Sequence, residues 1–236
     1  MPCCVIYVML IDFHTHNNEL LKEKSLVKDN SLAIYSHSMG NTIDNGGYIS
    51  LGLHPWDIVE ENIANEISFI KQHVDANNVI YVGECGIDKC YANITPIALQ
   101  QHIFELHIQI SETHSKPLLI HCVRAFNEII NLKKKHKPKQ QWIVHGFNNK
   151  INTAKMLVGE GIMLSFGAAL LNSNSNVHKV IAALDNKSFV LETDGKDTSI
   201  YDIYQAAANI RGTTFKEIEM TMEQNFERII GHKINN

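Results

Sequence analysis

Eight short apolar runs punctuate this chain, at residues 5–13, 32–36, 48–53, 79–83, 117–121, 142–145, 162–166 and 189–193, with helical periodicity between most of them. In residues 58–74 the apolar positions are Ile58, Ile63, Ile67, Ile70 and Val74, a spacing near one helical turn. Residues 97–115 repeat it with Leu99, Ile103, Leu106 and Ile110, and 124–135, 150–160, 175–184, 200–211 and 215–230 follow. Thr214 ahead of Lys216-Glu217 reads as an N-cap with a capping box. Strand and helix in such alternation demand parallel pairing through crossover helices. Eight units predict an α/β fold, a closed (β/α)8 barrel more than an open sheet. Residues 17–47 leave little room for two full helices, so the region between the first and third strands is expected to be abbreviated, with Asn45-Gly46-Gly47 as a tight turn. At 236 residues the chain suits one domain spanning 1–236.

Five of the runs deliver a metal-binding side chain at their C-terminal end: Asp12-Phe13-His14-Thr15-His16, Val82-Gly83-Glu84, Ile120-His121, Val144-His145 and Glu192-Thr193-Asp194. A barrel of this kind builds its active site at that end of its strands, so six ligands converge. Imidazole suits zinc and its neighbours, and alternation along the first strand would turn His14 and His16 to one side. Glu84 sits between Gly83 and Gly86, where glycine permits close approach. Its two oxygens can serve two cations. His121 and His145 end their strands in the same manner. Asp194 suits a ligand that also deprotonates a water; a helix cap is the alternative. The set predicts a metal-dependent hydrolase.

Neighbouring residues suit substrate. His54, before Pro55, ends the third run; Arg124 can grip a phosphate bidentately. His37 also ends a run but has no supporting motif, and Asp88 reads equally as support for a ligand or as structure. His73, His102, His107, His114, His136, His178 and His232 fall on helices or turns and are not read as ligands. Lys133-Lys134-Lys135-His136-Lys137 reads as a solvated helix end.

A net charge of −4 gives no global footprint for a polyanion, so any nucleic acid must be attracted by the site itself. Five cysteines (Cys3, Cys4, Cys85, Cys90 and Cys122) without zinc-finger spacing read as reduced thiols in a cytoplasmic protein. The opening ten residues lack a signal-peptide pattern, and no window is long enough for a membrane span.

In order along the chain, His14-Thr15-His16, Gly52-Leu53-His54-Pro55-Trp56, Gly83-Glu84-Cys85-Gly86-Ile87-Asp88, His121-Cys122-Val123-Arg124, His145-Gly146-Phe147, Glu192-Thr193-Asp194 and the closing Asn225-Phe226-Glu227-Arg228 resemble the TatD family of metal-dependent deoxyribonucleases. The resemblance implies a distorted TIM barrel of the amidohydrolase group that hydrolyses phosphodiesters, often as a 3′ exonuclease on DNA, with two divalent ions (Mg, Mn or Zn). It implies His14, His16, Glu84 and Asp194 around one ion, and Glu84, His121 and His145 around the other. It also places His54 and Arg124 on the scissile phosphate, and brings in no membrane or stable protein partner. The chain departs from the family pattern at Gly195-Lys196-Asp197, at Asn148-Asn149 and in a short segment after His16. Two other readings stand beside it: hydrolysis of a small ester, lactone or amide, and non-catalytic binding on the same scaffold. No lysine sits at the strand ends near Glu84 to act as a carboxylated bridge, and no ligand is missing; both facts favour the nuclease.

Overall fold

The computed structural model describes residues 9–16, 31–40, 47–195 and 197–231. Its eight parallel strands form one sheet in chain order: β1 (Leu10–Thr15), β2 (Ser31–His37), β3 (Tyr48–Leu51), β4 (Val79–Asp88), β5 (Leu118–Val123), β6 (Trp142–Val144), β7 (Ile162–Phe166) and β8 (Phe189–Leu191). The helices are α1 (Ile63–His73), α2 (Ile97–His114), α3 (Phe126–His136), α4 (Ile151–Gly159), α5 (Val177–Ala183), α6 (Ile200–Arg211) and α7 (Phe215–Ile230). This is the expected α/β barrel. β1, β4 and β7 are buried along their whole length on both faces, which is why such strands read as near-continuous apolar runs. The Thr214 capping box of α7 is present, with the Thr214 hydroxyl accepting from Glu217 N and the Glu217 carboxylate accepting from Thr214 N.

β8 lies beside β1, yet among the described residues no backbone ladder joins them. Individual hydrogen bonds close the seam instead. Asp12 accepts from Thr193 N at 2.9 Å and from Thr193 Oγ1 at 2.6 Å, and Asp194 N donates to the His14 carbonyl at 3.0 Å. The Tyr204 hydroxyl of α6 accepts from Ile11 N and donates to Ile11 O, both at 2.9 Å, so the strand edge keeps its backbone groups satisfied. Burial pushes the Asp12 carboxyl up to about 7 against the opposing pull of its Thr193 bonds.

Several boundaries differ from the sequence expectation, and some of them reposition a site residue. β4 continues to Asp88, so Glu84 lies within a strand instead of at its end. β8 stops at Leu191, which leaves Asp194 in a turn with φ +56°. The helix expected from 124 begins at Phe126, because Arg124 adopts a left-handed φ of +54°. The helix expected over 58–74 is confined to α1 after a 3-10 turn, and Ile58 packs on the core from outside it. The lead-in at 5–8, the first two residues of the Asn45-Gly46-Gly47 turn, Cys3, Cys4, Lys196 and His232 lie outside the described residues, as does most of the segment expected to be abbreviated. No helix among the described residues is long and apolar enough to cross a membrane.

Candidate metal centre

The site begins with two irregular strands. In β1 the pairing to β2 slips between Asp12 and Thr15; in β4 the pairing to β5 slips between Val82 and Cys85. Each slip is a bulge, one extra residue that re-aims the side chains beside it, and His14 and Glu84 sit within these bulges. Simple alternation is therefore not what turns His14 and His16 together; the bulge and the end of β1 are. Glycine makes the second bulge feasible. A Cβ on Gly83 would stand 2.3 Å from the Leu119 carbonyl, and one on Gly86 would stand 2.0 Å from the His121 carbonyl.

Glu84, almost wholly buried, is the centre. Its Oε2 faces His16 Nε2 at 3.1 Å and His14 Nε2 at 3.3 Å. Its Oε1 faces His145 Nε2 at 2.7 Å, His121 Nδ1 at 2.9 Å and His54 Nε2 at 3.2 Å. Asp194 Oδ1 completes the Oε2 side, 3.6 Å from His14 Nε2 and 3.8 Å from His16 Nε2. The two carboxylate oxygens thus divide the histidines into two groups. Burial alone would raise the Glu84 carboxyl, but His145, His121 and His14 outweigh it and hold the group well below the usual carboxylate range. Burial would likewise lower His145, yet Glu84 and Glu192 drive it well above the ordinary histidine value. The Glu84 carboxylate beside it raises His16 against its partial burial.

These donors fit a divalent cation on an observation of their own. Both ring nitrogens of His14 and Oε2 of Glu84 are buried without a hydrogen-bond partner, an arrangement that is costly unless something else satisfies them. Histidine nitrogens and carboxylate oxygens within 4.8 Å of one another supply the donor set.

The surrounding bonds assign ring orientations. Asp88 Oδ2 lies 3.2 Å from His121 Nε2; with the hydrogen there, Nδ1 keeps its lone pair toward Glu84. Burial would raise Asp88, but Trp56 and His121 outweigh it and lower the carboxyl. Trp56 N donates to His54 Nδ1 at 3.2 Å, which leaves the hydrogen of the neutral His54 ring on Nε2, pointing at Glu84. His54 is thereby a hydrogen-bond donor to the cavity, although it stands as close to Glu84 as the other histidines. His145 Nδ1 lies 3.7 Å from Glu192 Oε1, an electrostatic contact; Glu192 itself is anchored by Gly146 N at 2.6 Å and by the Ser165 hydroxyl.

The centre opens into a cavity of about 510 Å³, lined further by Ser36, His37, Ser38, Trp56 and Asp57. The structure therefore brings together His14, His16, Glu84, His121, His145, Asp194 and His54, and places His37 at the cavity wall. It does not bring in Arg124, which is exposed on the turn after β5 and absent from the lining. Sequence reasoning passed over Glu192, whose support of His145 spans two strands, and Trp56, whose indole Nε1 donates to Asp88 at 2.8 Å. The Glu-Thr-Asp triplet was a usable signal for the first; only an aromatic beside His54 and Pro55 pointed to the second.

Residues 25–231 match the family model described as TatD related DNase. The chain belongs to the TatD family. Among curated relatives, an uncharacterized metal-dependent hydrolase of Buchnera aphidicola subsp. Baizongia pistaciae is 34% identical over 148 residues, 62% of this chain and 55% of the relative. The uncharacterized metal-dependent hydrolase YjjV of Escherichia coli K12 is 26% identical over 153 residues, 64% of this chain and 58% of the relative. The chain thus spans little more than half the length of these relatives. In three dimensions the crystal structure of the YjjV TatD homolog superposes with a TM-score of 0.81 at 20% identity, covering 94% of this chain and 98% of that one. A TatD family hydrolase from Entamoeba histolytica gives 0.78 at 14% identity over 94% and 98%. At these identities the superpositions establish the TatD barrel as the fold.

Proposed function

We propose that residues 1–236 form one divalent-metal-dependent phosphodiesterase unit that removes nucleotides from the 3′ end of DNA. The observation that carries this reading is the division of Glu84, one oxygen toward His14 and His16, the other toward His121 and His145. His14, His16, Glu84 and Asp194 would hold one ion, and Glu84, His121 and His145 the other, with Mg, Mn or Zn as candidates. Such ions supply Lewis-acid stabilisation of the charge that develops on a phosphoryl group.

The chain's own groups do the rest. Glu84 stays ionised through the working pH range and so keeps both histidine groups in place. Asp194, part-exposed at the cavity, orients the attacking water and accepts its proton. His54, with its Nε2 hydrogen turned inward, donates to a phosphoryl oxygen. Arg124, outside the lining, is proposed to meet the incoming phosphodiester. The thiols of Cys85 and Cys122 are raised by burial and take no part in the chemistry. We place this activity in the cytoplasm, on DNA, without a stable protein partner.

Release of nucleotides from 3′-labelled single-stranded DNA tests the reading, with EDTA, Mg, Mn and Zn compared. Metal-dependent release that is lost in Asp194→Ala supports it. No release from protein shown by elemental analysis to carry metal would refute the nuclease and direct attention to small esters and amides.

A further inference from the structure

We propose that Trp56 is a stacking platform that holds a nucleobase of the substrate beside the bond to be cut. The proposal rests on the phosphodiesterase reading above and adds the part of the substrate that the donor cluster does not address.

Two tryptophans occur in the chain, and they are treated in opposite ways. Trp142 is fully buried, whereas Trp56 is 53% exposed and lines the cavity of the metal centre. Single exposed aromatics are ordinary on a protein surface, but this one is fixed on several sides. Its Nε1 donates to Asp88 at 2.8 Å, the carboxylate that also faces His121. Its ring meets the His54 ring edge-on, with centroids 4.9 Å apart, and the His121 ring at 5.7 Å. Tyr91 leans on it at 5.9 Å with planes 36° apart.

An indole held in this way loses little conformational freedom when something packs on its open surface. The fit to a nucleobase follows from what surrounds it. Sugar-phosphate chemistry is served by the carboxylates and histidines around Glu84, while Trp56 offers an apolar, π-rich surface at the side of that cluster. Every base has a π-face, so such a platform binds without strict sequence preference. Among the described residues no lysine or arginine lines the cavity beside Trp56: Lys89 pairs with Glu128 at 2.6 Å, and Arg124 stands outside the lining.

The test compares wild type, Trp56→Phe and Trp56→Leu, using a phosphorothioate-linked tetranucleotide and its counterpart with an abasic 3′ residue. Affinity for dye-labelled probes is read by fluorescence anisotropy on the Mn-loaded protein, so no turnover is required. Wild type is expected to prefer the base-bearing probe by about 10-fold or more. Trp56→Leu should abolish that preference while binding the abasic probe as wild type does, and Trp56→Phe should restore most of it. Equal losses on both probes in both variants would mean that Trp56 acts only through Asp88, and would overturn the proposal. Absence of preference in wild type, including no binding of either probe, would overturn it too. Preference without cleavage of ordinary DNA would leave the platform standing and refute the hydrolytic reading alone.

Discussion

Asp88 and His121 face each other across 3.2 Å, and that bond decides which nitrogen His121 presents to the metal centre. With the ring hydrogen directed to Asp88, Nδ1 and Glu84 Oε1 are two acceptors 2.9 Å apart, a pairing that a shared cation satisfies. Replacing Asp88 with Asn removes the charge and loosens the tautomer while keeping the shape. The expected outcome is a fall in metal affinity of about 10- to 100-fold with the fold intact, measured by metal titration alongside circular dichroism. Affinity unchanged within experimental error would show that Asp88 serves only Trp56 and the backbone of Cys90, whose N donates to Asp88 Oδ1 at 2.7 Å.

Asp194 sits at φ +56°, a conformation that Asn tolerates and Ala does not. Asp194→Asn therefore separates chemistry from backbone geometry better than Asp194→Ala. The variant should fold with wild-type stability and lose about 10²- to 10⁴-fold in turnover, the range for removing a proton acceptor. Steady-state kinetics at saturating metal would check it.

Gly86 leaves no room for a side chain: a Cβ there would lie 2.0 Å from the His121 carbonyl, and its φ is +147°. Gly86→Ala should cost more than about 3 kcal/mol, since neither strand can move without displacing a neighbour. Gly159, at the end of α4, has nothing within 4 Å and should accept Ala with a change of at most about 1 kcal/mol, in the stabilising direction. Urea denaturation of the two variants reads the contrast.

His107 of α2 is fully buried, donates Nδ1–H to Ile103 O at 2.8 Å and accepts from Leu53 N at 3.0 Å through Nε2. Burial lowers its pKa from the ordinary 6.5 to about 4 despite the Ile103 bond. The unfolded chain therefore takes up a proton that the folded chain refuses as pH falls from about 6.5 to about 4, and stability drops across that window. The full loss is about 3 kcal/mol. His107→Gln keeps a neutral acceptor, so its denaturation midpoint should vary less than wild type's over the same range.

Fold and donor set were legible because both are written locally. Apolar runs with a strand's composition predicted β1 to β8, and the histidines at or next to their ends needed only the barrel rule to converge. What the sequence hid depends on register between strands. Glu84 lies inside β4, and only the slip against β5 shows how it reaches the centre. The support from Glu192 crosses between strands, and Trp56 reaches Asp88 from the turn after β3, so neither leaves a periodic signal. His107 looked like a helix residue and is one; its bond to Leu53, one residue before His54, arises only on packing α2 against the barrel. Arg124 was legible as a residue beside β5 but not in its placement, since a left-handed residue after the strand sets it outside the cavity lining.

The two oxygens of Glu84 are proposed to serve two cations. Electron paramagnetic resonance of the Mn-loaded protein, with the metal content determined on the same sample, tests it most directly. Two Mn per chain with an exchange-coupled spectrum are expected in wild type, with loss of that coupling in Glu84→Gln. A single Mn per chain with the spectrum of an isolated ion, or coupling that survives Glu84→Gln, would contradict it.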